Sequence, residues 1–186
     1  MSNTLRIIGG EWRSRVITFK DAADLRPTPV RVRETLFNWL RNDIVGSQCL
    51  DLFAGSGALG FEAVSRGAKH VVLVDANPDT CRELQANQVK LKTDAIEIVN
   101  QDGLAYLRQS RHRFDVVFVD PPFRDNYAGL ACSALAESDV IAVSGIVYVE
   151  TAADCVFTPP ERWALLKQKT AGDVRYNLFS NGPGHS

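Results

Sequence analysis

The sequence predicts an α/β fold: a mostly parallel, doubly wound sheet closed by a C-terminal antiparallel hairpin and preceded by a small β-ribbon and helix. Three observations carry this expectation. From Gln48 onward, short β-branched runs alternate with helix-length segments. The runs are apolar at successive positions, as strands covered on both faces must be. The last two runs are joined by only three residues, too few for a parallel crossover.

The elements follow in order. LRIIGG and SRVITF, with Gly9-Gly10 between them, read as a β-ribbon. RPTPV breaks the chain, and VRVRETLFNWL has Val32, Leu36, Trp39 and Leu40 on one side of a helix. Residues 1–47 are therefore read as an extension and 48–186 as the main domain. Within the domain, CLDLF (49–53) leads to a helix from about Ala58 to Arg66, and HVVLVD (70–75) to a helix over 78–92. AIEIVN (95–100) precedes a short helix near 103–109, and FDVVFVD (114–120) a helix over about 127–138. GIVYVE (145–150) follows, then WALLKQKT (163–170) and VRYNLFS (174–180), joined by AGD. Right-handed crossovers make a doubly wound sheet the natural topology. The final NGPGHS is expected to fray.

Composition narrows the function classes. Hydrophobic residues make up 45% and charged residues 23%, ordinary for a soluble globular chain. No apolar stretch reaches membrane-span length, and MSNTLRIIGG lacks the apolar region of a signal peptide. Cys49, Cys81, Cys132 and Cys155 are scattered without a C-x-x-C pair, so reduced thiols in a cytoplasmic protein are expected. The three histidines are equally dispersed, and no metal is expected. Net charge is −1, but residues 1–48 carry +3 and the remainder −4. A basic end on an acidic body points to an anionic partner at one face.

LDLFAGSGALG (50–60) sets Gly55, Gly57 and Gly60 at the G-x-G-x-x-G spacing, after a strand and before a helix. That context favours a ligand loop over a merely sharp turn. Asp51 decides which ligand. A carboxylate below the loop repels a pyrophosphate but suits S-adenosylmethionine, which carries an ammonium and a sulfonium. Asp75 ends the second strand, placed for ribose hydroxyls. Asp102 follows the third, placed for an adenine amino group; each also suits a helix cap or turn. The expected cofactor contacts are Asp51, Phe53, Gly55, Ser56, Gly57, Asp75 and Asp102.

The fourth strand ends in Asp120-Pro121-Pro122-Phe123. Two prolines fix the backbone and remove two donors, leaving carbonyls to face outward. With a carboxylate and an aromatic ring beside them, they suit an exocyclic amine on a planar base. Asp120 and a proline carbonyl accept its hydrogens, and Phe123 stacks. Positioning is most of the work in transferring an activated methyl group, and Asp120 is placed to take the proton that the nitrogen sheds. A rigid turn ending a strand is the plainer reading of D-P-P alone.

LDLFAGSGALGFEAVSRGA followed by DPPF resembles the S-adenosylmethionine-dependent amino methyltransferases with an [N/D]-P-P-[F/Y/W] motif. With GGEWRSRVITF and LRPTPVRVRETLFNWL, nearly the whole chain is similar to the RsmD family, which methylates the N2 amine of one guanine in bacterial small-subunit (16S) ribosomal RNA. The resemblance implies a Rossmann-like class I methyltransferase fold. It also implies Asp51, Gly55 and Gly57 at the methionyl part, Asp75 at the ribose, Asp102 at the adenine and Asp120 to Phe123 at the target base. A ribonucleoprotein acceptor, a small ribosomal subunit or its assembly intermediate, is expected, with the enzyme acting as a monomer.

The residues agree with an RNA partner. Arg6, Arg13 and Arg15, with Lys20, sit on the ribbon where phosphates can lie along them, and Trp12 is available to stack on a base or to cover the ribbon's apolar side. Arg26, Thr28, Arg31 and Arg33 cluster around RPTPVRVR, placed to hold RNA over the DPPF pocket. Three other readings stand beside this one: a DNA adenine or cytosine amino methyltransferase using the same DPPF, a nucleotide-dependent oxidoreductase, and a catalytically silent RNA-binding subunit. Asp51 and DPPF speak against the second, and the intact set of acids against the third.

Overall fold

The computed structural model describes residues 2–20, 28–122 and 127–182. The ribbon pairs β1 (Ser2–Arg6) with β2 (Val16–Lys20) antiparallel, and α1 (Val30–Trp39) leads into the main sheet. There the chain runs β3 (Gln48–Asp51), α2 (Ala58–Ser65), β4 (His70–Asp75), α3 (Pro78–Leu91), β5 (Ile96–Asn100) and α4 (Gly103–Gln109). It continues through β6 (Phe114–Val119), α5 (Tyr127–Glu137), β7 (Ile141–Ala152), β8 (Trp163–Ala171) and β9 (Val174–Asn181). The seven strands lie in the order β5-β4-β3-β6-β7-β9-β8. The first five are parallel to their neighbours; β9 returns antiparallel beside β7 and carries β8 at the edge. The doubly wound sheet and its closing hairpin are as the alternation predicts.

The ribbon strands lie at Ser2–Arg6 and Val16–Lys20 rather than over LRIIGG and SRVITF, and two further strand bounds differ from expectation for a local reason. The first strand of the sheet stops at Asp51 because the chain turns there into the glycine loop. Strand β7 begins at Ile141, not 145: Ile141 pairs with Phe114 across a bulge, Ser144 takes a φ of +60°, and pairing resumes at Ile146–Val116. Ser-Gly in mid-run reads as a turn in sequence, whereas here it only kinks the strand.

One face of the sheet buries α2, α3, α1 and the ribbon in one apolar cluster. Leu5, Ile7, Trp12, Ile17 and Phe19 meet Leu36, Phe37, Phe61 and Phe118 there. The other face packs against α4 and α5. Trp12 is therefore a core residue of the ribbon and is buried, so its ring has no open face for a base. Trp39 packs on Tyr176, ring centroids 5.5 Å apart.

Polar clamps lock the ribbon in place. The fully buried Glu62 carboxylate accepts from the backbone N–H groups of Ile8 and Gly9, both at 2.9 Å. It also pairs with Arg33 (3.5 Å) and Arg66 (2.7 Å). At the other strand, Asn87 of α3 accepts from the Thr18 N–H and donates to its carbonyl, copying a strand partner. A buried carboxylate and amide so fully partnered fix geometry as well as hold it.

Candidate active site

The winding of the sheet reverses between β3 and β6, and at that reversal two crossovers leave on opposite faces, opening a crevice beyond the strand ends. Asp51 closes β3, Asp75 closes β4, and Asp120 follows β6 directly. The fold thus brings these three acids to neighbouring carboxyl ends of the sheet.

The loop after β3 is shaped by its glycines. Gly57 holds a φ of +77° at the N-cap of α2, and a Cβ there would stand 2.6 Å from the Phe61 ring. A Cβ on Gly60 would run into the Leu73 side chain, so the third glycine sets how closely α2 lies on the sheet. Asp75 steadies the loop: one oxygen accepts from the Gly55 N–H at 2.9 Å, the other from Asn77 at 2.8 Å. On the ribbon side of the loop, a cavity of about 120 Å³ is lined by Thr18, Lys20, Gly55, Ser56, Asn77 and Glu83, among others.

Asp51 is 1% exposed, and its Oδ1 is buried without a hydrogen-bond partner. Burial lifts its pKa to about 7, with the nearby Asp75 charge adding to the rise and the backbone amides of Gly60 and Phe53 opposing it. An orphaned carboxylate oxygen under a glycine loop fits a ligand that brings a cationic N–H, and S-adenosylmethionine does. Asp102 is a helix cap: its Oδ1 accepts from the Ala105 N–H at 2.9 Å. Its Oδ2 accepts from the Tyr127 hydroxyl at 3.4 Å, and the Tyr127 ring stands edge-on to Phe53, centroids 5.6 Å apart. Phe53, Asp102 and Tyr127 thereby share one corner of the crevice, and the sequence reading did not single out Tyr127.

Asp120 is part-buried and accepts from the Thr28 hydroxyl at 3.3 Å. Its pKa is raised well above the usual carboxylate range by burial first, then by the charges of Glu150 and Asp51, while the Thr28 hydroxyl opposes the rise. Pro121 is buried behind it and Pro122 faces solvent. Phe123 lies outside the described residues, as does Arg26.

The residues expected to contact RNA do not share one environment. Arg33 was expected to face RNA; it is 1% exposed instead, held by Glu62 and donating to the carbonyls of Thr28 (3.2 Å) and Arg6 (3.2 Å). Its guanidinium ties α1 to the ribbon and has no route to a phosphate here. Thr28, also expected among the RNA contacts, is 4% exposed and faces Asp120. Arg6, Arg13, Arg15 and Arg31 are exposed. Arg15 donates to the Lys90 carbonyl in the last turn of α3, and Arg6 to the Ser14 carbonyl. Arg15, at the hairpin end of the ribbon with Arg13, thus stands about 20 Å from the glycine loop by the length of α3.

A family model, "Conserved hypothetical protein 95", matches residues 5–180. A Haemophilus influenzae protein named ribosomal RNA small subunit methyltransferase D is 46% identical over 95% of this chain and 94% of its own length. The chain belongs to the ribosomal RNA small subunit methyltransferase D family. The solved structure of an Escherichia coli protein named "Putative methyltransferase yhhF" superposes with a TM-score of 0.88 at 40% identity, covering 97% of this chain and 99% of its own. More remotely, a Thermus thermophilus 16S rRNA N2 G1207 methyltransferase, solved with AdoMet and guanosine, shares the fold. Its TM-score is 0.68 at 18% identity, over 97% of this chain and 50% of that one. The methyltransferase D family membership thus extends over the ribbon and the sheet alike.

Proposed function

We propose that this chain transfers a methyl group from S-adenosylmethionine to the exocyclic N2 amine of a guanine in 16S ribosomal RNA, presented within a small ribosomal subunit or its assembly intermediate. The observation that carries the reading is the meeting, at the reversal of the sheet, of an orphaned carboxylate under a glycine loop with an Asp-Pro-Pro turn. The family membership gives it a ribosomal RNA acceptor.

When bound, the cofactor supplies an activated methyl group, so the protein needs no strong acid or base. Asp51 takes the ammonium of the methionyl part, Asp75 the ribose and Asp102 the adenine edge. Asp120 and the Pro121 carbonyl accept the two N2 hydrogens, turning the nitrogen lone pair toward the methyl carbon. As the N–C bond forms and the S–C bond breaks, the nitrogen becomes cationic and must lose a proton. Asp120, whose burial and neighbouring charges raise its proton affinity, takes that proton and passes it to water. Phe123 has its ring-stacking role from the motif alone. A base inside a duplex cannot reach a crevice at the strand ends, so the target is unpaired or flipped out.

The test is transfer of labelled methyl to small subunits from a strain lacking the gene, followed by digestion to nucleosides. Label in N2-methylguanosine supports the proposal; label in N6-methyladenosine or in DNA overturns it. Asp120→Ala is expected to reduce turnover at least about 100-fold with cofactor binding retained.

A further inference from the structure

Beside Asp120 stands an acid that the proposed reaction does not use. Glu150 lies on β7, where Val149 pairs with Val119 in the last rung, so Glu150 and Asp120 both follow that rung and stand level with each other. Adjacent strands bring the two backbones to roughly 4.8 Å. Glu150 is 4% exposed, with Asp120 on one flank and Tyr176 of β9 on the other. Tyr148, two residues back on the same face, donates its hydroxyl to Glu150 Oε2 at 2.9 Å. Among the described residues no lysine or arginine pairs with Glu150 or Asp120.

A buried and a part-buried carboxyl group side by side without a cation disfavour the folded chain, and such arrangements concentrate where a ligand supplies the missing donors. Guanine offers two donors side by side, N1–H and the N2 amine. Adenine and cytosine present a bare ring nitrogen beside their amine.

We infer that Glu150 is a specificity-determining residue of the acceptor pocket, accepting the guanine N1–H on Oε1 while Asp120 accepts from N2. Tyr148 fixes Oε2 and so aims the other oxygen. A base with a lone pair at that ring position meets a carboxylate lone pair, and its amine is pushed out of line. Burial of the phenol beside the Glu150 charge keeps Tyr148 a donor. This inference rests on the guanine-N2 reading above.

The probe is 2-aminopurine, which keeps the exocyclic amine of guanine but has no hydrogen on N1. Small subunits are reconstituted with 16S RNA carrying guanine or 2-aminopurine at the nucleotide that the wild-type enzyme labels. The wild-type enzyme is expected to prefer guanine by about 100-fold or more in kcat/KM. Glu150→Gln, whose amide either donates or accepts, is expected to narrow the preference to below about 10-fold, with cofactor affinity unchanged. Equal use of the two bases by the wild-type enzyme overturns the inference, and that measurement stands even if the variant does not fold. A folded, cofactor-binding variant that keeps the full preference overturns it as well. Label on guanine at a position other than N2, or on another base, shows instead that the guanine-N2 reading has failed.

Discussion

Under the proposed function, Asp51 ties the choice of cofactor to the cost of the site. Its folded-state pKa of about 7, against 3.8 for the free side chain, means that the native protein holds a proton the unfolded chain has lost. The folded state is therefore favoured at low pH, and this contribution disappears as pH rises from about 4 through 7. Ionised Asp51 is what a ligand ammonium needs, so cofactor affinity should fall about tenfold per unit below pH 7. Calorimetric titration between pH 5.5 and 8 checks this. Asp51→Asn should flatten the profile and weaken binding at least about 10-fold, while raising the melting temperature of the free protein by several degrees above pH 7. A variant that binds as tightly as wild type, with the same pH profile, excludes Asp51 as the ammonium partner. The acid's mismatch with a pyrophosphate was legible in sequence. Glu150 bore the same mark, an acid at a strand's carboxyl end, yet it was passed over because no glycine or proline motif follows it.

Among the elements, those from β3 onward were legible because their apolar runs and helix periods are local properties of the chain. What attaches the ribbon was not. Arg33 and Glu62 lie 29 positions apart, and each looks like an ordinary charge on a helix face until the fold places them together in the core. Thus the cluster around RPTPVRVR, read as a basic surface, turns out to be split: Arg31 outside, Arg33 inside, Thr28 against Asp120. Breaking the pair is costly because the partner stays buried and charged. Glu62→Ala should cost about 3–5 kcal/mol, read as a lowered denaturation midpoint. In hydrogen exchange, the Ile8 and Gly9 amides should lose protection first, while those of α4 and α5, on the opposite face of the sheet, keep theirs. Uniform loss of protection over both faces would mean that Glu62 supports the whole core rather than the ribbon.

For the molecule as a whole, charge asymmetry along the chain points toward an anionic partner but sets no distances, since side-chain burial and the run of α3 decide those. Arg31 opens the helix whose N-terminal flank carries Thr28, and so stands close to the Asp120 crevice. Arg13 and Arg15 stand at the far end of α3 and can reach only RNA remote from the target base. The two groups should separate kinetically. Arg13→Ala with Arg15→Ala should raise KM for small subunits about 10-fold, leave kcat and cofactor affinity unchanged, and lower the slope of log affinity against log salt by one to two. Arg31→Ala, beside the crevice, should lower kcat as well, as the proposed seating of a flipped base at that rim requires. Filter binding of small subunits between about 50 and 200 mM salt, with single-turnover methyl transfer beside it, distinguishes the groups. An unchanged salt slope in the double variant would remove the hairpin end from the RNA interface and leave recognition to the rim of the crevice alone.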